Sequence, residues 1–158
     1  VISLNKNYFM QKVLMVCLGN ICRSPLAEGI LQSKVNSDEV FVDSAGTAAY
    51  HIGKCPDDRS IDVAAKYGLN IKNQRARKFT VKDFDQFDRI YAMDNSNFKH
   101  ILLLARDDKD AHKVQLILDE KDSIQNRSVP DPYYGGSLGF ENVYKMLDEV
   151  CELISKKL

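Results

Sequence analysis

The segment Val13-Leu14-Met15-Val16-Cys17-Leu18-Gly19-Asn20-Ile21-Cys22-Arg23-Ser24-Pro25 constrains this chain more than any other. An apolar, strand-like run ends on a cysteine, a short loop containing Gly19 follows, and Ser24-Pro25 opens a helix. Serine suits an N-cap, and proline suits the first helical position, where its missing N–H would have no partner anyway. The chain is therefore expected to pass from a buried strand through Leu18, Gly19, Asn20, Ile21 and Cys22 into a helix. Such a turn aims backbone N–H groups and the positive end of a helix at one spot, which suits an anion of phosphate size. Cys17 stands at the floor of that cradle.

The same spacing supplies reactivity. A free thiol with a pKa of about 8.5 is mostly protonated at neutral pH. Inward N–H groups, the helix dipole, the Arg23 guanidinium and the Ser24 hydroxyl all favour the thiolate. The planar fork of Arg23 also grips two phosphoryl oxygens at once. Far along the chain, Val129-Pro130-Asp131-Pro132-Tyr133-Tyr134-Gly135-Gly136 offers a second feature. Flanking prolines stiffen the loop around Asp131, whose carboxyl can protonate a departing oxygen. Taken singly, Cys17 reads equally as a buried structural thiol and Asp131 as an Asp-Pro turn. Together they read as nucleophile and acid.

These residues resemble the low-molecular-weight protein tyrosine phosphatases. The resemblance runs from about Met10 onward and includes Asp43-Ser44-Ala45-Gly46, Pro56-Asp57-x-Arg59, Ala76-Arg77 before Phe79-Thr80, and Met93-Asp94-x-Ser96-Asn97. It implies Cys17 as the nucleophile that forms a cysteinyl-phosphate, Arg23 as the phosphoryl clamp, and Asp131 as general acid and then base. It implies that Asn20 and Ser44 hold the loop's shape and that Ser24 stabilises the thiolate. Tyr50, Tyr133 and Tyr134 would line a slot for a flat phosphotyrosine ring. Tyr50 stands where many members carry another aromatic. Ile21 stands where arginine-directed members carry threonine, so the tyrosine branch is favoured. Cys22 would be the second loop cysteine, able to form a reversible disulfide with Cys17, or else simply a small buried side chain. Phosphotyrosine-bearing proteins are the implied partners, a controlling tyrosine kinase is left open, and a monomer or weak dimer is expected. Two alternatives stand beside this reading: an arsenate reductase-like enzyme and a non-catalytic phosphate-binding module. The first needs resolving cysteines, and Gln74 to Asp88 contains none; the second has no use for Asp131.

No metal or other cofactor is expected. His51, His100 and His112 are scattered, and the four cysteines form no Cys-x2-Cys pair. The formal net charge is zero, which gives no bulk attraction for nucleic acid or an anionic membrane. No apolar run reaches the roughly 18–20 residues of a membrane span. A reactive cysteine in a disulfide-poor layout points to the cytoplasm. The basic run Lys72–Lys78 and the acidic run Asp107–Asp110 read as solvated loops.

Residues Val1 to Phe9 precede the resemblance and read as an arm or an upstream remnant, leaving 10–158 as one domain. Strands are expected at Lys12–Val16, Val40–Asp43, Arg89–Met93 and Val114–Leu118. Helices are expected at Pro25–Lys34, from Pro56 to near Gly68, from Thr80 through a capping box with Asp83, at Ser96–Leu104 and at Phe140–Lys156. Such alternation implies a parallel sheet between helices. The resemblance sharpens it to a three-layer α/β/α fold with a twisted four-stranded parallel sheet and a phosphate-binding loop between first strand and first helix.

Overall fold

Val13, Leu14, Met15 and Val16 are wholly buried, as a strand covered on both faces must be. In the computed structural model, which describes residues 9–121 and 128–158, they form the middle of β1 (Gln11–Cys17). β2 (Val40–Gly46) pairs with one edge of β1 and β3 (Arg89–Ala92) with the other; β4 (Val114–Leu116) pairs with β3. All pairings are parallel and the order is β2-β1-β3-β4.

The period of two along β1 sorts its side chains into two cores. Val13, Met15 and Cys17 share one core with Leu26, Ile30, Val42, Val143, Leu147 and Val150. Those residues come from β2 and from α1 (Arg23–Lys34) and α6 (Ser137–Ser155), which lie over that face. Leu14 and Val16 face the other core, with Phe79, Phe84, Ile90, Ile101 and Leu116. That side is closed by α3 (Asp83–Gln86) and α4 (Asn95–Leu104). Helices thus cover both faces of a four-stranded parallel sheet, as expected. α2 (Asp58–Lys66) starts beside the β1–α1 loop: the Asp57 N–H donates to the Ile21 carbonyl at 2.7 Å, and Ser60 Oγ donates to the Cys22 carbonyl at 3.2 Å.

Five local expectations need correction. α1 begins at Arg23, with Cys22 at the N-cap position and no side-chain cap; Ser24 is inside the first turn because its hydroxyl is drawn to other partners, described below. The acidic run is no solvated loop. Asp107 caps a short α5 (Asp108–His112) by accepting from the Asp110 N–H at 2.9 Å, and Asp110 is buried against Arg106 at 2.8 Å. The basic run is not wholly solvated either, since Ala76 is buried and Arg77 pairs with Asp43 and Asp83 at 3.1 and 3.0 Å. At Thr80 only half the box forms: the Asp83 carboxylate accepts the Thr80 N–H at 2.8 Å, and the helix itself waits until Asp83. The last expected strand also stops early, at Leu116, where Ile117–Glu120 tightens into a 3-10 turn.

Of the expected N-terminal arm, residues 1–8 lie outside the described residues, and Phe9 is exposed. Among the described residues, no helix is long and apolar enough to cross a membrane.

The burial pattern carries a stability expectation. Leu26 is fully buried on the inner face of α1, whereas Leu103 on α4 is 86% exposed. Leu26→Ala is expected to lower unfolding free energy by about 2–5 kcal/mol, and Leu103→Ala to change it by no more than about 0.5 kcal/mol, measured by urea unfolding.

Candidate active site

Between the end of β1 and the start of α1 the backbone turns sharply enough to place Asn20 at φ 56°, the left-handed region that asparagine tolerates better than most residues. Its carboxamide then holds the loop from inside. Nδ2 donates to Ser24 Oγ at 2.8 Å and to Ser44 Oγ at 2.9 Å, while Oδ1 accepts the Arg77 N–H at 3.0 Å. Gly46, at the end of β2, presses against this turn. A Cβ there would stand 2.7 Å from the Leu18 carbonyl oxygen and 3.1 Å from the Asn20 nitrogen. The N–H groups of Gly19, Asn20, Ile21 and Cys22 donate to no protein acceptor among the described residues. A loop of unpartnered amides at a helix N-terminus is competent to bind an oxyanion.

Cys17 and Arg23 stand at the two ends of this loop, both buried. Cys17 Sγ lies 3.0 Å from Ser24 Oγ. With that hydroxyl oxygen accepting from Asn20, its own proton is at hand for a thiolate at Cys17, the alternative acceptor, the Ala45 carbonyl, being 3.5 Å away. The Arg23 guanidinium is clamped from behind: Nη1 donates to Asp94 Oδ2 at 2.6 Å and to the Val129 carbonyl at 2.9 Å. Nη2 lies 3.6 Å from Asp131 Oδ2. Burial works against the charge on Arg23, but Cys17, Asp94 and Asp131 outweigh it and hold its pKa above the usual value. Val129 ties the Asp131 loop down twice, since its own N–H donates to the Met93 carbonyl at 2.7 Å. Asp131 Oδ1 accepts the Tyr133 N–H at 3.0 Å, and its side chain is 38% exposed at the mouth.

A cavity of about 260 Å³ opens over the loop and brings together Cys17, Leu18, Gly19, Ile21, Cys22 and Arg23 with Tyr50, Asp131, Tyr133 and Tyr134. Asn20, Ser24 and Ser44 lie behind it, buried, as its supports. Tyr133 and Tyr134 meet edge to face with centroids 5.0 Å apart; Tyr50 and Tyr134 are largely exposed. Arg59 braces this wall by donating to the Tyr133 carbonyl at 3.1 Å, while its guanidinium pairs with Asp57 at 3.0 Å.

Three participants had no role in the sequence reading. His51 lines the cavity beside Tyr50 and Gly19, yet a lone histidine in a loop carries no pattern. Asp94 is legible as the N-cap of α4, where Oδ1 accepts the Asn97 N–H at 2.8 Å; nothing local announces that its other oxygen takes Arg23. Arg59 was visible only as a helix-start residue. Cys22 is a buried free thiol, as is Cys17. Burial, followed by the nearby Asp57, Cys17 and Asp131, pushes Cys22 up to about 12, which keeps it a neutral thiol at neutral pH. No group of three potential metal-ligating side chains occurs among the described residues.

Removing the Asn20 carboxamide separates two contributions. Asn20→Ala strands buried polar groups and keeps a Cβ at positive φ, so a loss of about 2–4 kcal/mol is expected. Asn20→Gly relieves only the backbone part and is expected to recover about 1 kcal/mol of it in thermal unfolding.

A family model described as low molecular weight phosphotyrosine protein phosphatase matches residues 12–158. The low molecular weight phosphotyrosine protein phosphatase of Schizosaccharomyces pombe is 40% identical over 152 residues, covering 93% of this chain and 96% of its own length. Among solved structures, a protein tyrosine phosphatase from Entamoeba histolytica superposes with a TM-score of 0.87 at 37% identity, over 93% of this chain and 96% of that one. Wzb of Vibrio vulnificus, solved in complex with benzylphosphonate, gives 0.83 at 31% identity, over 94% and 99%. With a match of this extent carried by sequence and fold alike, the chain belongs to the low molecular weight phosphotyrosine protein phosphatase family.

Proposed function

We propose that this chain hydrolyses phosphotyrosine in proteins, and small aryl phosphates, through a cysteinyl-phosphate intermediate. The observation that carries the reading is the meeting of three groups from distant segments over one cavity. Cys17 lies at its floor, Arg23 is held by Asp94 and Val129, and Asp131 Oδ2 is 3.6 Å from Arg23 Nη2.

In the first step the Cys17 thiolate attacks phosphorus from below. The S–P bond forms as the bond to the tyrosyl oxygen breaks, and the Asp131 carboxyl gives its proton to that oxygen. Charge on the three equatorial oxygens is taken up by the loop N–H groups and by Arg23, so electrostatic stabilisation and positioning carry the step. In the second step Asp131, now a carboxylate, removes a proton from water as its oxygen attacks phosphorus and the S–P bond breaks. The leaving thiolate meets the Ser24 hydroxyl proton, and the acid is regenerated.

Tyr50, Tyr133 and Tyr134 support a flat aromatic substrate, whose ring gains burial and edge or face contacts. Benzylphosphonate on the Vibrio vulnificus relative joins a ring to a tetrahedral phosphonate, the pairing proposed here. Ile21 at the cavity wall supports the tyrosine branch. We take residues 10–158 as one catalytic domain working without a metal on phosphotyrosine-bearing proteins, in a reducing cytoplasm suited to Cys17.

The test is hydrolysis of a phenyl phosphate ester against pH, with EDTA present. Wild type is expected to show a bell-shaped profile and Cys17→Ser no turnover. Asp131→Ala is expected to slow by about 10²–10⁴-fold and to lose the limb that depends on the protonated acid. Turnover that needs a metal, or that survives loss of Cys17, overturns the mechanism.

A further inference from the structure

Glu28 takes no part in the steps above, yet an unbroken chain of hydrogen bonds joins it to the nucleophile. It sits on the second turn of α1, half-buried. Ser44 Oγ donates to Glu28 Oε1 at 2.8 Å; Asn20 Nδ2 donates to Ser44 Oγ at 2.9 Å and to Ser24 Oγ at 2.8 Å; Ser24 Oγ meets Cys17 Sγ at 3.0 Å. A hydroxyl that accepts from Asn20 must send its single proton elsewhere. For Ser44 that acceptor is Glu28. The carboxamide cannot turn over to serve instead, because its Oδ1 is engaged by the Arg77 N–H at 3.0 Å.

We propose that Glu28 is a positioning residue for the nucleophile: as the terminal acceptor it fixes the Ser44 hydroxyl, and Ser44 and Arg77 together seat the Asn20 carboxamide that holds Ser24 against the Cys17 sulfur. This rests on the reading of Cys17 as the nucleophile and adds a group that touches neither substrate nor sulfur. Without the acceptor, Ser44 holds a buried proton with no destination, and the oxygen that receives Asn20 is free to rotate away. The Asn20 carboxamide then keeps only Arg77 and Ser24 as partners, and its hold on Ser24 loosens.

The surroundings of Glu28 agree with an acceptor that works in either ionisation state. Burial pushes its carboxyl up to about 7; the Ser44 hydroxyl opposes this, the Asp43 carboxylate adds to it by charge and by hydrogen bonding, and Arg77 opposes it. Arg77 is itself held between Asp43 and Asp83. The cleft on the other side of Glu28 is lined by Gln32, Ser33, Asn70 and Gln74, which do not titrate. A proton on Glu28 faces Asp43, while Oε1 goes on accepting from Ser44. Glutamine copies that form, with its carbonyl toward Ser44 and its NH2 toward Asp43; alanine does not.

The pH dependence of stability follows with a definite sign. Between about pH 4.5 and 7 the folded chain keeps a proton on Glu28 that the unfolded chain, with its ordinary value of 4.5, has released. Stability therefore falls as pH rises through that window, and Glu28→Gln is expected to flatten this slope in thermal unfolding.

The deciding experiment compares wild type, Glu28→Ala and Glu28→Gln by two readouts: iodoacetamide alkylation of Cys17 against pH, followed by peptide mass, and kcat and KM on a phenyl phosphate ester. For Glu28→Ala the alkylation profile is expected to move to higher pH, and kcat to fall about fivefold or more with KM little changed, because the Ser24 proton is needed when sulfur leaves. Glu28→Gln is expected to stay within about twofold of wild type on both. An alanine variant matching wild type, equal losses in alanine and glutamine variants, or a kcat loss with an unmoved alkylation profile would each overturn the proposal. Should Glu28→Ala fail to fold, Ser44→Ala cuts the same chain one link nearer and carries the same expectation. Alkylation needs no turnover, so the readings fail separately. A wild type that is inactive on the ester while the alkylation pattern holds overturns the phosphatase reading alone.

Discussion

The Asn20 carboxamide is the contact on which the rest of the site hangs. One side chain, on a residue held at φ 56°, satisfies two serine hydroxyls with its NH2 and receives a backbone N–H at its oxygen. Those three partners come from α1, from β2 and from the segment after Arg75. A loop of only a few residues cannot hold a turn with its own amides facing outward by local bonds alone, since those amides are the groups it leaves unpaired. Asn20 supplies from within the bonds that the loop's backbone does not make. Gly46 completes the constraint by letting β2 approach the loop closer than a Cβ permits.

Charge placement at the far end of the loop obeys a second requirement. A guanidinium as buried as Arg23 is costly unless paired and hydrogen-bonded. Asp94 and the Val129 carbonyl meet that need, and each does a second task. Asp94 caps α4 through its other oxygen, and Val129 joins the Asp131 loop to the end of β3. Satisfying Arg23 therefore also seats Asp131 over the cavity. The same residues that make the charge tolerable bring Cys17, Arg23 and Asp131 together, so the floor of the cavity is buried while Tyr50 and Tyr134 at its mouth stay exposed.

Much of the fold was readable along the chain because burial on both faces leaves contiguous apolar runs. β1 and β3 were visible for that reason, β2 by its short apolar run Val40-Phe41-Val42 although Phe41 is exposed, and α6 for its apolar stripe from Val143 to Ile154. The errors share a cause. Ser24 has the composition of an N-cap, but its hydroxyl is claimed by Asn20 and Cys17, and the helix starts two residues earlier. The acidic run Asp107–Asp110 has no apolar stripe, and the Asp107 cap together with burial of Asp110 against Arg106 makes it a helix. Asp94 and Arg59 showed only as helix-start residues and His51 carried no pattern, because the contacts of Asp94 with Arg23 and of Arg59 with Tyr133 span distant parts of the chain.

By itself the sequence determined the strand, the loop and the helix that follow one another from Val13 to Pro25, together with the pairing of Cys17 and Arg23 across that loop. Those features depend on neighbours in the chain and on local propensity. It also determined which residue types were at hand for an acid and for aromatic walls. Only the tertiary structure decided that Arg23 answers to Asp94, 71 residues away, and to Val129, 106 residues away, and that Glu28 lies at the end of a chain from Cys17. Those choices follow from the strand order β2-β1-β3-β4. That order gathers the carboxyl ends of β1, β2 and β3 at one place, and no local pattern encodes which side chains then meet there.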